Sequence, residues 1–535
     1  MNYIIFAGVL AAFFGNLYFI ARYAAELYRR YGLVKISGAA AVFAGVFAVL
    51  FTVAAHVPLR GGYDNDHDFG YAGTNFFSLA DVGGNISQKE YAPQLGITLG
   101  DIASGYSLRA VPLLNNTLLW PVWALLVFCA LLELDAGICG AVFGSGLLAF
   151  SFLSILNART FATTGWNMFF AASALLSAAR FRGNFSFDGF IWFLCASFLV
   201  FCGRYELLPP LGLLAVLLLY GARAELLASW ERYSVSTAVW LLLCLVWLWL
   251  LYSNDHYNGP PMLDTLNNFL EQLGAQNLSM CLGFGKRFPV FMTVFFFALL
   301  AIRGVLDGKS RFAVALQWVW VAVWVYYFSA IFMPLQLYPL HFMRHNLYFY
   351  IPFCILAGLG VSAIRFAPQP ARKALCAALG LLLAAYGVAN AGAALGLNRE
   401  LRTNDMEWHF LLDARKNWPP DCVAVYPYQD SRIGIIAKYF PFERPADALR
   451  SGKRMLVYKS PLHNVVKVMF APQDVPFTDF SNLIAPDYSI PVLSTTFTHK
   501  FYTIWHGSPE LETEAEVPLT IGFYKALPKP AQPGR

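Results

Sequence analysis

Long apolar runs alternate with short polar links over the first 396 residues, and the pattern then changes. A hydrocarbon core takes roughly 20 apolar residues per helical pass. About twelve runs suit that length: 3–21, 37–57, 111–132, 137–156, 165–179, 187–203, 208–222, 236–253, 288–302, 312–333, 347–364 and 374–396. Two longer polar stretches, 58–110 and 254–287, interrupt them. From 397 onward short alternating segments replace the runs. "DCVAVYPY", "RMLVYKS" and "NVVKVMF" read as strands, and "DSRIGIIAKYF" and "PADALRSG" as helices. The pattern predicts a polytopic α-helical membrane domain over 1–396 and a C-terminal α/β or α+β domain over 397–535. The Pro-rich tail from Ala526 is expected to carry no regular structure.

Composition agrees. The chain is 58% hydrophobic and 13% charged, where soluble globular chains have about a quarter of their residues charged. A soluble enzyme and a disordered chain are both excluded. Of the 70 Asp, Glu, Lys and Arg, residues 397–535 hold 31, so charge is scarce within the apolar part. A net charge of +6 over 535 residues gives no case for nucleic acid.

Lys and Arg favour cytoplasmic links. Placing Arg29–Lys35 inside makes the N-terminus external. Alternation then puts Arg180/Arg182, Arg223/Arg232, Arg303/Lys309/Arg311 and Arg365/Arg372/Lys373 inside as well. The link near Glu133 and Asp135 is acidic and lends no support. Twelve passes place the C-terminal domain outside. No positive charge precedes the first run, so it does not read as a signal peptide. The nine cysteines lie mostly within runs, as small apolar fillers. Only Cys281 and Cys422 reach the outer side, where they could pair. Zinc-ligand spacings, phosphate-cradling glycine loops and nucleophile elbows are missing from the sequence.

All nine histidines fall at or beyond the outer surface in this topology, and so do the unusual polar residues. Asp64, Asp66 and Asp68 alternate, with His67 among them, in Gly61-Gly-Tyr-Asp-Asn-Asp-His-Asp-Phe-Gly-Tyr71. Such a turn can simply be solvated, but Tyr63, Phe69, Tyr71 and Phe76 make it aromatic. Three carboxylates so close need compensation: a divalent cation (Mg2+ or Mn2+ on Asp66 and Asp68), a neighbouring arginine, or a raised pKa. A carboxylate there can also take a proton from a hydroxyl. Arg204 and Glu206 stand in a short outer link, and Arg159 stands at similar depth. The planar fork of Arg204 suits a phosphate, although snorkelling or a pair with Glu206 also explains it. Arg344 and His345 open the 347–364 run above a set of aromatics, a layout that fits an anionic headgroup or an interfacial anchor. Residues 261–274 carry one apolar face and read as a helix in the interface plane.

The order of these features resembles the GT-C class of integral-membrane glycosyltransferases, in the lineage of protein mannosyltransferases and aminoarabinose transferases. An early acidic outer loop is followed by "GRYELLPPLGLLAVLLLY", then by "RHNLYFYIPFCILAGLGV", and a mixed domain closes the chain. The resemblance implies an inverting transferase that takes a sugar from a polyprenyl-phosphate donor to an extracytoplasmic glycan, lipid or protein. It implies a bacterial inner membrane with the site facing the periplasm. Asp66 or Asp68, with Asp64 behind them, matches the family's base or metal ligand. Arg344 matches the arginine that meets the donor phosphate, and Arg204 matches it more weakly. This chain reaches its acidic loop after two runs rather than one, and carries Asp-His-Asp where the family carries Asp-Glu. The same surface suits a lipid-linked glycan ligase or polymerase. A twelve-span transporter is the competing class. It would place its charges near mid-membrane in matching halves.

Overall fold

The structure is a computed structural model. It describes residues 2–56, 91–103, 117–157, 163–203, 223–253 and 353–400, the strands below, and a few isolated positions such as Arg303 and Ile351. The helices are α1 (Asn2–His56), α2 (Tyr91–Ala103), α3 (Leu119–Glu133), α4 (Gly137–Ala149), α5 (Phe152–Asn157), α6 (Thr164–Asn184), α7 (Phe187–Gly203), α8 (Arg223–Ala228), α9 (Trp230–Ser253), α10 (Phe353–Phe366) and α11 (Gln369–Glu400). Three of them, at Tyr3–Arg29, Trp230–Leu250 and Gln369–Gly396, are long and apolar enough to cross a membrane unaided. The expected runs 208–222, 288–302 and 312–333 and the helix expected at 261–274 lie wholly or mostly outside the described residues.

Contacts give each helix a direction. At one end of the bundle Tyr23 donates to Glu133 Oε1 at 2.9 Å, and Arg180 pairs with Glu26 and, at 3.5 Å, with Glu133. At the other end Trp120 donates to Ala149 O at 3.0 Å, and Phe201 meets Trp247 with ring centroids 5.1 Å apart. These are the Glu133 end and the Gly203 end.

The helical assignment of α1 covers 55 residues. A straight helix of that length would run about 82 Å. The contacts rule out a straight path. Tyr23 lies at the Glu133 end, whereas a Cβ on Gly45 would sit 2.9 Å from Phe150, just past the far end of α4. The chain therefore turns back between Glu26 and Gly45, as expected for two passes with a reversal at the basic residues 22–35. Helices α3, α6 and α10 then run toward the Glu133 end, and α4, α7, α9 and α11 run away from it.

The tight links have local causes. Past α3, Ala136 N–H bonds Leu131 O at 2.9 Å and Asp135 N–H bonds Leu132 O at 3.1 Å, with Asp135 left-handed at φ 59°. This is the paired-bond helix stop usually built on glycine. Between α6 and α7, Phe185 takes φ 44° and Ser186 Oγ accepts from Gly189 N–H at 3.2 Å, an N-cap in the third-residue position. The expected run 137–156 is in fact two helices, broken at Phe150 and Ser151.

Lipid tails are as apolar as leucine, so close packing and polar clasps hold membrane helices together. Helix α4 meets α10 backbone to backbone: a Cβ on Gly140 would overlap Gly358 O. Asn16 Oδ1 accepts from Ser173 Oγ and, at 2.9 Å, from Trp192 Nε1, joining α1, α6 and α7. Arginines from distant helices engage the acidic link at 133–135: Arg180 pairs with Glu133, and two others reach its backbone. Arg303, 1% exposed, donates to Asp135 O at 3.0 Å and to Leu134 O and Leu359 O at 3.4 Å. Arg365 also donates to Asp135 O. Two spent helix ends thus present their carbonyls to buried guanidinium charge. Arg180, Arg303 and Arg365 share this end with Arg22, which holds Asp188 at 2.6 Å.

The C-terminal strands are β1 (Cys422–Val425), β2 (Phe442–Glu443), β3 (Arg454–Lys459), β4 (Ile484–Pro486), β5 (Leu493–Trp505) and β6 (Ser508–Ala526). They form one mixed sheet in the order β2-β1-β3-β6-β4, with β5 also on β6. β1 is parallel to β2 and β3, and β6 is antiparallel to β3, β4 and β5. β1 and β3 fall on expected strands. β2, β4 and the long β5–β6 hairpin were not anticipated. The expected strand 464–470, both expected helices and the tail beyond Ala526 lie outside the described residues.

Candidate functional site

None of the residues singled out in the sequence as a functional group is itself described. Asp64, Asp66, His67, Asp68, Arg159, Arg204, Glu206, Arg344 and His345 all lie outside the described residues, as do seven of the nine histidines and Cys281. The structure does fix where the chain leaves and enters the bundle around them. The acidic loop follows His56, after α1 has returned to the Gly203 end. Arg159 stands in the link from Asn157 to Thr163, both at that end. Arg204 follows directly on Gly203. Arg344 and His345 precede Ile351, and α10 runs away from the Gly203 end, since Cys354 lies by Gly144 and Gly358 by Gly140. Four separate links carrying the expected residues therefore open at one end. Helix α11 delivers the chain to the sheet from that same end, where Asn390 donates to Phe150 O at 3.1 Å.

The floor beneath these links is polar and buried. Helix α2, inside the expected outer loop 58–110, packs against the start of α6 and the end of α7. A Cβ on Gly203 would overlap Asn167 Oδ1 and lie 3.2 Å from the Pro93 ring, so a side chain here would have to displace Asn167. A Cβ on Gly96 would overlap the Trp166 indole. Trp166 in turn leans on Phe13 at 5.5 Å and Phe170 at 5.9 Å between ring centroids. Glycine and proline on one side of α2 thus set it directly against the residue that carries Arg204.

Gln94, Thr98 and Asp101 follow at helical spacing on a different side of α2, and all are buried, Asp101 completely. Thr98 Oγ1 donates to Gln94 O at 2.9 Å. Asn157, Thr163, Thr164 and Asn167 add further buried polar groups at this end. Asn167 Nδ2 reaches Thr163 Oγ1 at 3.5 Å, and Asn157 Nδ2 donates to Leu153 O at 2.9 Å. Burial, with Cys202 beside it, pushes the Tyr91 phenol well above its ordinary value. A fully buried carboxylate is rare unless it is engaged, and Asp101 is buried at the same end of the bundle as these polar groups. The signal for it was present as Gln, Thr and Asp at i, i+4 and i+7 within an otherwise apolar stretch.

Among the described residues no group of three His, Cys, Asp or Glu is arranged to hold a metal. The expected ligands Asp66 and Asp68 are not among those residues.

No family model matches the chain, and no curated protein matches it. A solved structure does. The fold is that of ArnT from Cupriavidus metallidurans, whose crystal structure in the apo state superposes with a TM-score of 0.51. The likeness covers 90% of this chain and 98% of that one, at 11% sequence identity. The chain is thus an α-helical membrane protein whose fold resembles ArnT over nearly its whole length.

Proposed function

We propose that the chain is an integral-membrane glycosyltransferase of the GT-C type, working at the Gly203 end on a sugar delivered by a polyprenyl phosphate. Fold alone does not assign chemistry. What carries the reading is the convergence at one end of four links that bear, between them, three clustered carboxylates and three arginines. A transfer from a lipid phosphate needs both: an anion holder beside the membrane and a base for the acceptor.

In this reading the Glu133 end, with Arg22, Arg180, Arg303 and Arg365, faces the cytoplasm, and the Gly203 end faces outward. Nucleotide sugars are cytosolic, so an outward site takes a donor already flipped across the membrane. The donor's tail lies along the helices. Its phosphate meets Arg344, helped by Arg204 and His345. Asp66 or Asp68 removes the proton from the acceptor hydroxyl, whose oxygen attacks the anomeric carbon as the lipid phosphate leaves. One displacement inverts the configuration.

The loop's charge is balanced either by a divalent cation on Asp66 and Asp68 or by an arginine. Loss of transfer on chelation, restored by Mg2+ or Mn2+, marks the cation. The base is tested by Asp66→Asn and Asp68→Asn, made singly and assayed for transfer from a lipid-phosphate sugar. One of the two should lose at least 100-fold, within the usual range for general-base loss of about 10²–10⁴. Full activity in both would sink the assignment.

A further inference from the structure

Basic residues gather at one junction of the Glu133 end, where the α3–α4 link meets the end of α10 and the start of α11. Arg303 and Arg365 both donate to Asp135 O there. Arg372 and Lys373 stand exposed in the first turns of α11. Elsewhere at this end cations are matched: Arg180 by Glu26 and Glu133, and Arg22 by Asp188. Neither Arg372 nor Lys373 makes an ion pair among the described residues. The first turn of α11 has no acid, and the dipole of the helix disfavours cations at that end. The fold itself therefore gains little from these two charges.

Helix geometry brings Arg372 to the link. Leu383 on α11 packs on Gly146 of α4, where an added Cβ would lie 2.6 Å from Leu383 Cδ2. Both helices run away from the Glu133 end. Arg372 stands eleven residues before Leu383, about 16 Å back along α11, and Gly137 stands nine before Gly146, about 13 Å back along α4. The two are thus level to within one turn. Arg372 precedes Leu383 and Asn390 by eleven and eighteen residues, close to whole numbers of turns. It therefore shares the helix face by which those two residues hold α11 to the bundle. A Cβ on Gly137 would have no atom of the described residues within 4 Å, so the ground in front of the link is open.

We propose that this junction binds the phosphate of an anionic phospholipid in the leaflet at the Glu133 end. The guanidinium forks of Arg365 and Arg372 take the phosphate oxygens, and Lys373 adds charge. The link's own carboxylate, Asp135, is outnumbered by these cations. Arg365 lies over the exposed Phe366 ring, 4.8 Å from its centroid, at the level where headgroups meet tails. Leu375 and Leu382, seven residues apart on one side of α11, are exposed, as is Ile138 on α4. They offer the acyl chains an apolar path. The bound lipid ties the α3–α4 link to the helix that leads from the bundle to the C-terminal sheet.

The test uses the full chain in phosphatidylcholine nanodiscs that hold a trace of a photoactivatable lipid, with the diazirine on its acyl chain. One sample carries the phosphatidylglycerol probe and the other the phosphatidylcholine probe. After irradiation and digestion, the phosphatidylglycerol probe should label peptides holding Ile138 or Leu375 to Leu382 about tenfold more than the other, as two surface cations imply. Unlabelled phosphatidylglycerol should compete. Arg365→Gln with Arg372→Gln should bring the labelling down to the phosphatidylcholine level. If that variant fails to accumulate, Arg372→Gln with Lys373→Gln, which breaks no ion pair, should lower it severalfold. Arg223→Gln with Arg232→Gln, in another basic link, should leave it unchanged. Equal labelling by the two probes, or an equal loss in the Arg223 and Arg232 variant, would overturn the proposal. No sugar donor is present, so the outcome does not depend on transfer chemistry.

Discussion

Gly203 lies so near Asn167 that a Cβ at that position would overlap the Asn167 Oδ1 and press on the Pro93 ring at 3.2 Å. Three elements meet there: the end of α7, the first turns of α6, and α2. Asn167 Oδ1 has no hydrogen-bond partner among the described residues, so little is lost when that side chain is cut back.

Gly203→Ala should therefore destabilise by about 1–3 kcal/mol, the usual cost of forcing atoms into a packed site. It should also lower transfer by displacing Arg204. Asn167→Ala in the same chain should recover most of both losses. The check is a double-mutant cycle read by thermal unfolding and by transfer rate. If the double variant is as impaired as Gly203→Ala alone, the overlap is not the cause.

Arg344 and Arg204 are assigned to the donor phosphate with unequal weight. Arg344→Ala should raise the donor KM at least tenfold, as expected for a lost charge-assisted hydrogen bond of about 1.5–3 kcal/mol. Arg344→Lys should recover only part of it, since an ammonium lacks the planar fork. Arg204→Ala should have the smaller effect. Steady-state kinetics with varied donor measures all three.

At the opposite end Arg180 joins Glu26 on α1 to Glu133 on α3, with the Arg180 and Glu133 side chains 12% and 11% exposed. Arg180→Ala removes the cation shared by the two carboxylates and leaves Glu26 with Arg22 at 3.8 Å. It should cost more stability than Glu133→Gln, and Arg180→Ala with Glu133→Gln should be milder than Arg180→Ala alone. Thermal unfolding of detergent-solubilised protein gives the ranking. Donor KM should not change in any of the three, because this end lies across the bundle from the transfer site.

Asn16 is the shared acceptor for Ser173 and Trp192 in the middle of the bundle. Asn16→Ala removes that acceptor and leaves the buried Ser173 hydroxyl without it, while the Trp192 indole N–H keeps Ser173 Oγ at 3.2 Å. A loss of about 1–2 kcal/mol is expected, since polar clasps between membrane helices are individually modest. Asn16→Leu should be no better, as the Ser173 hydroxyl still lacks the Asn16 acceptor. Unfolding in detergent checks both variants.

Much of the helical framework was legible in the sequence because a bilayer imposes length and apolarity on every pass. The reversal after Glu26 was readable from Arg22, Arg29, Arg30 and Lys35, although helical bonding continues through it. The acidic link at Glu133 and Asp135 looked out of place because the arginines that engage it, Arg180 at the Glu133 carboxylate and Arg303 and Arg365 at the backbone, are 45 or more residues away. Helix α2 was hidden for the opposite reason: it is buried on more than one side, so polar Gln94, Thr98 and Asp101 face inward and leave no apolar stripe to read. In the β5–β6 hairpin, threonines in β5 and Pro509, Pro518 and four glutamates in β6 blur the two-residue alternation. Pairing across the turn, with Lys500 opposite Glu514, then makes the strands. The site residues were chosen from type and sidedness alone, and the structure adds that their links share one end.

The most direct test of the central claim is transfer by purified protein in liposomes supplied with a radiolabelled polyprenyl-phosphate sugar and an envelope extract as acceptor source. The reading predicts label moving to the extract and free polyprenyl phosphate appearing in equal amount, with no transfer when a nucleotide sugar replaces the lipid donor. Equal transfer from the nucleotide sugar, or label that crosses the membrane with its donor bond intact, would contradict it.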